Sequence, residues 1–231
     1  MHTNLCKNCE HTFQGNFCSN CGQKTNTQRL DFHYIYDELK YTFLHINNGL
    51  LYTSKQLYTK PGLMVKEYLE GKRVKHYKPI LMVFVLAGIT GLLLHYLRIQ
   101  DFIPKKKYYN AETSKAVFEF VTNNYSFVEL AFIPIVSFAS WLTFRKWGYN
   151  YIENIIINSF ASSQRLIFTI ATFPILFYFE KQSLSIKNLM TVPEYMLTIW
   201  MYWQLYNDKS VKERILKMIL FYIKIILKIT E

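Results

Sequence analysis

The sequence predicts an all-α integral membrane protein with about four transmembrane helices, a small N-terminal zinc ribbon and amphipathic juxtamembrane helices between the two. Three observations predict it: four long apolar windows beyond residue 78, four cysteines confined to residues 6–21, and an excess of 27 Lys and Arg over 16 Asp and Glu. At 51% hydrophobic and 17% aromatic, the 231-residue chain is richer in apolar side chains than a globular domain of its size. A net charge of +11 would suggest nucleic acid in a soluble protein. Beside apolar spans it reads instead as basic segments meeting anionic lipid headgroups, and nucleic acid becomes an unlikely partner.

The ribbon occupies 1–28. Cys6-Lys7-Asn8-Cys9 and Cys18-Ser19-Asn20-Cys21 make two C-x2-C knuckles separated by eight residues, the spacing of a tetrahedral Zn2+ site with one metal per chain. Gly22 eases the second knuckle's turn, and the intervening residues suit a small hairpin around Gly15. The opening is polar and lacks the apolar core of an export signal, which disfavours disulfides. An iron–sulfur cluster has no redox context here. Four cysteine ligands close the coordination shell, so the expected role is structural and not catalytic.

Residues 29–78 read as a basic collar on the inner leaflet. Asp31 can cap a helix bearing Phe32, Ile35, Tyr36, Leu39 and Phe43 at three- and four-residue steps, and Asn48-Gly49 breaks it. A further helical piece runs to Thr59, and Pro61 opens another that stops at Gly71. Lys72, Arg73, Lys75 and Lys78 follow immediately before the first span.

The transmembrane domain is expected over 79–206, with spans at Pro79 to Leu97, Phe127 to Phe144, Ile155 to Phe179 and Leu189 to Tyr206. Residues 207–231 form a C-terminal amphipathic helix whose Lys217, Lys224 and Lys228 share one face, the pattern of a helix lying at the interface. Residues 1–78 hold eleven Lys and Arg, Arg145 and Lys146 follow the second span, and six more follow Tyr206. The positive-inside rule then places both termini in the cytoplasm, with Lys105, Lys106 and Lys107 as the dissenting outer cluster.

Polar residues within the spans are the other candidate site. Arg165 lies deep in the third window, where an unpaired charge costs at least about 2.5 kcal/mol, and Glu194 is the best opposite charge. Glu129 and Glu153 are alternatives near span ends. With Gln164 they define a possible intramembrane polar site, while Asn158, Ser159, Ser162 and Ser163 favour close helix packing. His33 and Asp37, one turn apart, read as a surface pair, and no nucleophile with its base is evident.

From Cys6 to about Leu86 the chain resembles a bacterial family labelled domain of unknown function 3667. The resemblance rests on CKNCEHTFQGNFCSNCGQK, then on Lys60-Pro61-Gly62, Tyr68, Glu70-Gly71-Lys72-Arg73, Tyr77 and Pro79 leading into an apolar span. Glu10 departs from it, standing where a knuckle usually has glycine. The family implies a membrane protein with a cytoplasmic ribbon and brings no catalytic residue. The resulting expectation is a non-enzymatic adaptor of the bacterial inner membrane, with a cytoplasmic protein partner or a homo-oligomer. The alternative is a small transporter or channel component with Arg165, Glu194 and Gln164 on its path.

Overall fold

The computed structural model describes residues 3–25, 49–96, 111–178 and 183–230. The expected helix from Asp31, the His33–Asp37 pair and the Lys105 to Lys107 cluster lie outside the described residues.

The ribbon is a two-stranded antiparallel hairpin, β1 (Asn4–Leu5) and β2 (Thr12–Phe13), with Asn4 opposite Phe13 and Leu5 opposite Thr12. Its small core is Phe13 against the cysteines, and an isolated bridge joins Phe17 to Lys24.

Two collar helices follow, α1 (Gly49–Thr59) and α2 (Pro61–Leu69). Proline at the first position of α2 sacrifices only an N–H that no helix uses there. Gly62 then meets the next layer backbone to backbone. A Cβ at that position would lie 2.3 Å from the Leu205 nitrogen and 2.4 Å from the Met201 oxygen, so only glycine admits the approach.

The long helices are α3 (Pro79–Tyr96), α5 (Tyr125–Phe144), α6 (Tyr151–Tyr178), α7 (Ser183–Leu205) and α8 (Val211–Thr230), with the shorter α4 (Ala111–Asn123) before α5. A 3-10 turn, Arg145–Trp147, closes α5, and Gly148 lets the chain reverse. Asn150 and Glu153 cap α6 reciprocally: Asn150 N–H donates to Glu153 Oε2 at 2.7 Å, and Glu153 N–H to Asn150 Oδ1 at 2.8 Å. Helix α6 packs against α3, α5 and α7, α3 also packs on α5, and α2 lies on α7.

One described helix is long and apolar enough to cross a membrane, Tyr125–Trp147, and only 33% of its apolar window is buried inside the molecule. A core helix of a soluble protein would be mostly covered. Pro79–His95 is a shorter apolar helix. The core is mainly apolar, with Met82, Ile156, Ile157 and Phe160 fully buried, and a band of buried polar residues runs beside it. Asn154, Ser159, Ser163 and Gln164 are fully buried on α6, whereas Leu92, Phe127, Phe132, Met196 and Leu216 are exposed on four different helices. Packing within the bundle therefore leaves much of its apolar surface uncovered.

Helix α8 departs from the sequence expectation. It runs antiparallel along α7, with Arg214 against Trp203, Phe221 against Tyr202 and Tyr222 against Tyr195. Its polar side faces inward: Arg214 donates to the Trp203 carbonyl at 3.1 Å, and Lys217 to the Thr143 carbonyl at 2.6 Å. Ile215, Leu216, Ile219, Leu220 and Ile223 face outward. Arg214 and Lys217 thus satisfy bundle carbonyls, while Lys212 and Glu213 are exposed.

Candidate metal centre and interhelical polar cavity

The four cysteines form one cluster. Cys6 Sγ lies 3.5 Å from Cys21 Sγ, Cys9 Sγ lies 3.6 Å from Cys18 Sγ, and all four sulfurs fall within 4.8 Å of one another. A regular tetrahedron with metal–sulfur bonds of about 2.3 Å has edges of about 3.8 Å, so the spacing accommodates one ion. The cysteines form no disulfide.

The two knuckles repeat one backbone design. In the first, Cys6 N–H donates to the His11 carbonyl at 3.0 Å and Glu10 N–H to the Cys6 carbonyl at 2.9 Å. In the second, Cys18 N–H donates to the Gln23 carbonyl and Gly22 N–H to the Cys18 carbonyl, both at 2.8 Å. The equivalent fifth residues, Glu10 at φ 60° and Gly22 at φ 73°, both take the left-handed conformation. Glycine adopts it freely, whereas Glu10 holds it against a cost of about 1 kcal/mol. Burial acts to raise the Cys21 thiol, but the Gln23 N–H aimed at its sulfur and the Asn8 side chain bring it down to about 6. Donors placed in this way favour thiolate and hence metal ligation.

The ribbon is fastened to the collar through its second knuckle. Gln23 Nε2 donates to the Gly71 carbonyl at 2.8 Å in a buried contact. Gly71, at φ 111°, ends α2, and its N–H returns to the Tyr68 carbonyl while that of Lys72 returns to Glu67.

The polar residues expected to act together divide between two places. Gln164 faces α1: its amide donates to the Leu57 carbonyl at 2.7 Å, and Tyr58 Oη donates to the Gln164 carbonyl at 2.6 Å. Arg165, the next residue, faces the opposite side and meets Glu129, not Glu194, with Nη2 3.4 Å from Oε1. The expected Arg165–Glu194 pair is therefore corrected. Helical side chains lean toward the N-terminus, so Arg165 reaches the turn of Ser162, whose hydroxyl also bonds Glu129. Glu194 lies one turn further along, accepting from Thr169 Oγ1 at 2.9 Å.

Around Arg165 lies a cavity of about 210 Å³ between α5, α6, α7 and α8. Glu129, Asn158, Ser162, Arg165 and Thr198 supply its polar lining, and Phe132 and Val136, on the same face of α5 as Glu129, are part of its apolar lining. A buried polar chain extends from it along α6. Tyr202 Oη donates to Asn158 Oδ1 at 3.0 Å, Asn158 Nδ2 to Ser140 at 2.9 Å, and Ser140 to Asn154 Oδ1 at 2.9 Å. Sequence reasoning had placed Glu129 near a span end. The signal available was the shared four-residue step of Asn154, Asn158 and Ser162 leading to Arg165, which marks one continuous polar face.

Fold and site together define a mostly helical protein with one helix fit to cross a membrane and an N-terminal four-cysteine cluster suited to a metal ion. Residues 47–91 match the family described as Protein of unknown function (DUF3667), the family that the motifs resemble. The matched segment is α1, α2 and most of α3, including Gly62 and Gly71, and it does not include the ribbon. No curated protein and no solved structure matches the chain.

Proposed function

We propose that the protein is a multi-pass protein of the bacterial inner membrane and acts as a non-enzymatic adaptor, holding a zinc ribbon at the cytoplasmic face for a protein partner. The observation that carries the adaptor reading is the Gln23–Gly71 bond, which makes the ribbon a fixed part of the collar while Leu5 and Phe17, 66% and 61% exposed, point away from it. Four thiolates in a closed set favour zinc among the common cellular ions and leave no position for a substrate.

The membrane reading rests on the large apolar side chains left exposed on α3, α5, α6, α7 and α8, among them Leu92, Phe132, Ile175, Met196 and Leu216. Interior prolines in α5, α6 and α7 fit the same setting. Because α8 lies antiparallel along α7, we read it as a fifth span with the N-terminus inside and the C-terminus outside. At about 1.5 Å per residue its 20 residues are long enough. The collar's Lys72, Arg73, Lys75 and Lys78 then meet anionic headgroups.

Photo-crosslinking from positions 5 and 17 in intact cells tests the adaptor. One discrete protein adduct at both positions, lost when Cys18 and Cys21 are changed to serine, is expected. Absence of any adduct from either position overturns the reading. The second reading, a transporter or channel component, is favoured by the polar chain from Asn154 to Arg165 along α6. Flux of a small solute through proteoliposomes, abolished by Arg165→Gln, would replace the adaptor with it.

A further inference from the structure

We propose that the cavity at Arg165 is a binding site for the oxyanion head of an amphiphile, a fatty carboxylate or a lipid phosphate, entering sideways from the bilayer. The inference rests on the membrane reading above.

Three observations converge on it. The first is the state of the guanidinium. Among the described residues its five N–H donors have only Glu129 at 3.4 Å and Ser162 at 3.5 Å as partners, both through Nη2, and Nε is buried with no acceptor. A buried donor left unmade is costly, and the long contact to Glu129 is not the close two-pronged pairing that arginine makes with a committed carboxylate. The second is space. The cavity holds the volume of about seven waters, room for an oxyanion and the first carbons of a chain, and Phe132 and Val136, next to Glu129 along α5, give such carbons apolar contact.

The third is the direction of access. The Arg165 side chain is 41% exposed, and Phe132 and Tyr195 beside it are among the exposed apolar residues of the exterior. A ligand arriving through that opening comes from lipid, so it carries a tail as well as a head. The head competes with Glu129 for the guanidinium, which fixes the sign of the test: neutralising Glu129 should tighten binding.

The experiment uses the full chain in a neutral maltoside detergent, with decanoate as probe and decanol as its uncharged counterpart, read by calorimetric titration. Decanoate is expected to bind at least about tenfold more tightly than decanol. Arg165→Gln should remove that preference, and Glu129→Gln should increase decanoate affinity several-fold. If Arg165→Gln does not fold, Val136→Phe, which narrows the apolar wall and leaves the ion pair intact, should weaken decanoate instead. Native mass spectrometry identifies the source: phosphatidylglycerol that copurifies and is displaced by decanoate indicates a lipid headgroup, and its absence indicates a free fatty acid. Equal binding of decanol and decanoate, or decanoate binding unchanged by both Arg165→Gln and Val136→Phe, overturns the site. Release of the protein from membranes by alkaline carbonate would overturn the membrane reading separately, with the titration still readable.

Discussion

Gln23 and Gly71 stand 48 residues apart in the chain and are joined by a 2.8 Å hydrogen bond from the glutamine amide to the glycine carbonyl. The same Gln23 accepts from Cys18 N–H through its own carbonyl, so one residue ties the second knuckle to the C-terminal end of α2. Changing Gln23 to alanine leaves the Gly71 carbonyl without this donor while sparing every cysteine. The expected result is full zinc content, a loss of about 1–2 kcal/mol in unfolding free energy, and faster amide exchange at Gly71 and Lys72. Unchanged exchange there would show that the ribbon does not depend on this contact.

Metal content follows from the cluster geometry. One zinc per chain is expected in purified protein, because a single tetrahedron uses every cysteine in the sequence. Cys18→Ser together with Cys21→Ser should abolish it and free Gln23 from the collar. The helices should keep their circular dichroism, since their packing does not pass through the ribbon. Zinc retained in full by that variant would sink the assignment.

Much of this architecture was legible in the sequence, and the failures share one cause. Pro79 to Leu97 was legible as a helix because its apolar run is too long for a strand, and the helix observed, Pro79–Tyr96, is apolar but shorter than the one candidate span among the described residues. The cysteine cluster was legible because knuckle spacing fixes geometry locally. Helix α4, over AETSKAVFEFVTN, had been left as a connection because its mixed composition gives no span signal. Gln164 and Arg165 were grouped because they are adjacent, but neighbouring residues on a helix point about 100° apart, and packing decided which neighbour each meets. The same rotation governs α8, where helical spacing did not reveal that Lys217 turns toward Thr143 and Trp147.

The orientation of α8 gives a topological prediction. An outward location for a reporter fused after residue 231 is expected, with a reporter after residue 78 remaining inside. Both reporters on the cytoplasmic side would return α8 to the interface and leave four spans. Removing the inward anchor by Lys217→Leu should loosen α8, since the Thr143 carbonyl would lose its donor and Trp147 the cation 5.0 Å from its ring.

His76 supplies a pH dependence. Burial, only partly opposed by the nearby Glu67 carboxylate, lowers its pKa from 6.5 to about 4, and its Nδ1 is buried without a partner beside the rings of Tyr52 and Tyr68. Between those two values the unfolded chain binds a proton that the folded one does not. The stabilising contribution is therefore complete above pH 6.5 and declines as pH falls toward 4. His76→Phe should flatten this part of the stability profile, measured as the difference in Tm between pH 7 and pH 5 for the two proteins. Equal slopes would show that His76 is not the titrating group.

The last prediction concerns Arg165 and Glu129, because the ion pair is carried by two helices that also hold the cavity. Glu129→Gln keeps an acceptor oxygen but removes the negative charge facing the guanidinium, whereas Glu194→Gln neutralises a group whose hydrogen bond comes from Thr169. The first change should cost about 1–2 kcal/mol in detergent, less than a fully buried pair because the arginine is partly exposed, and the second should cost less. Replacing both Arg165 and Glu129 by leucine should recover much of the loss, since an apolar pair leaves no charge uncompensated. Thermal unfolding of these variants decides which carboxylate the arginine uses. A Glu194→Gln loss exceeding that of Glu129→Gln would restore the pairing that span position alone suggests and would place Arg165 one turn further along α6.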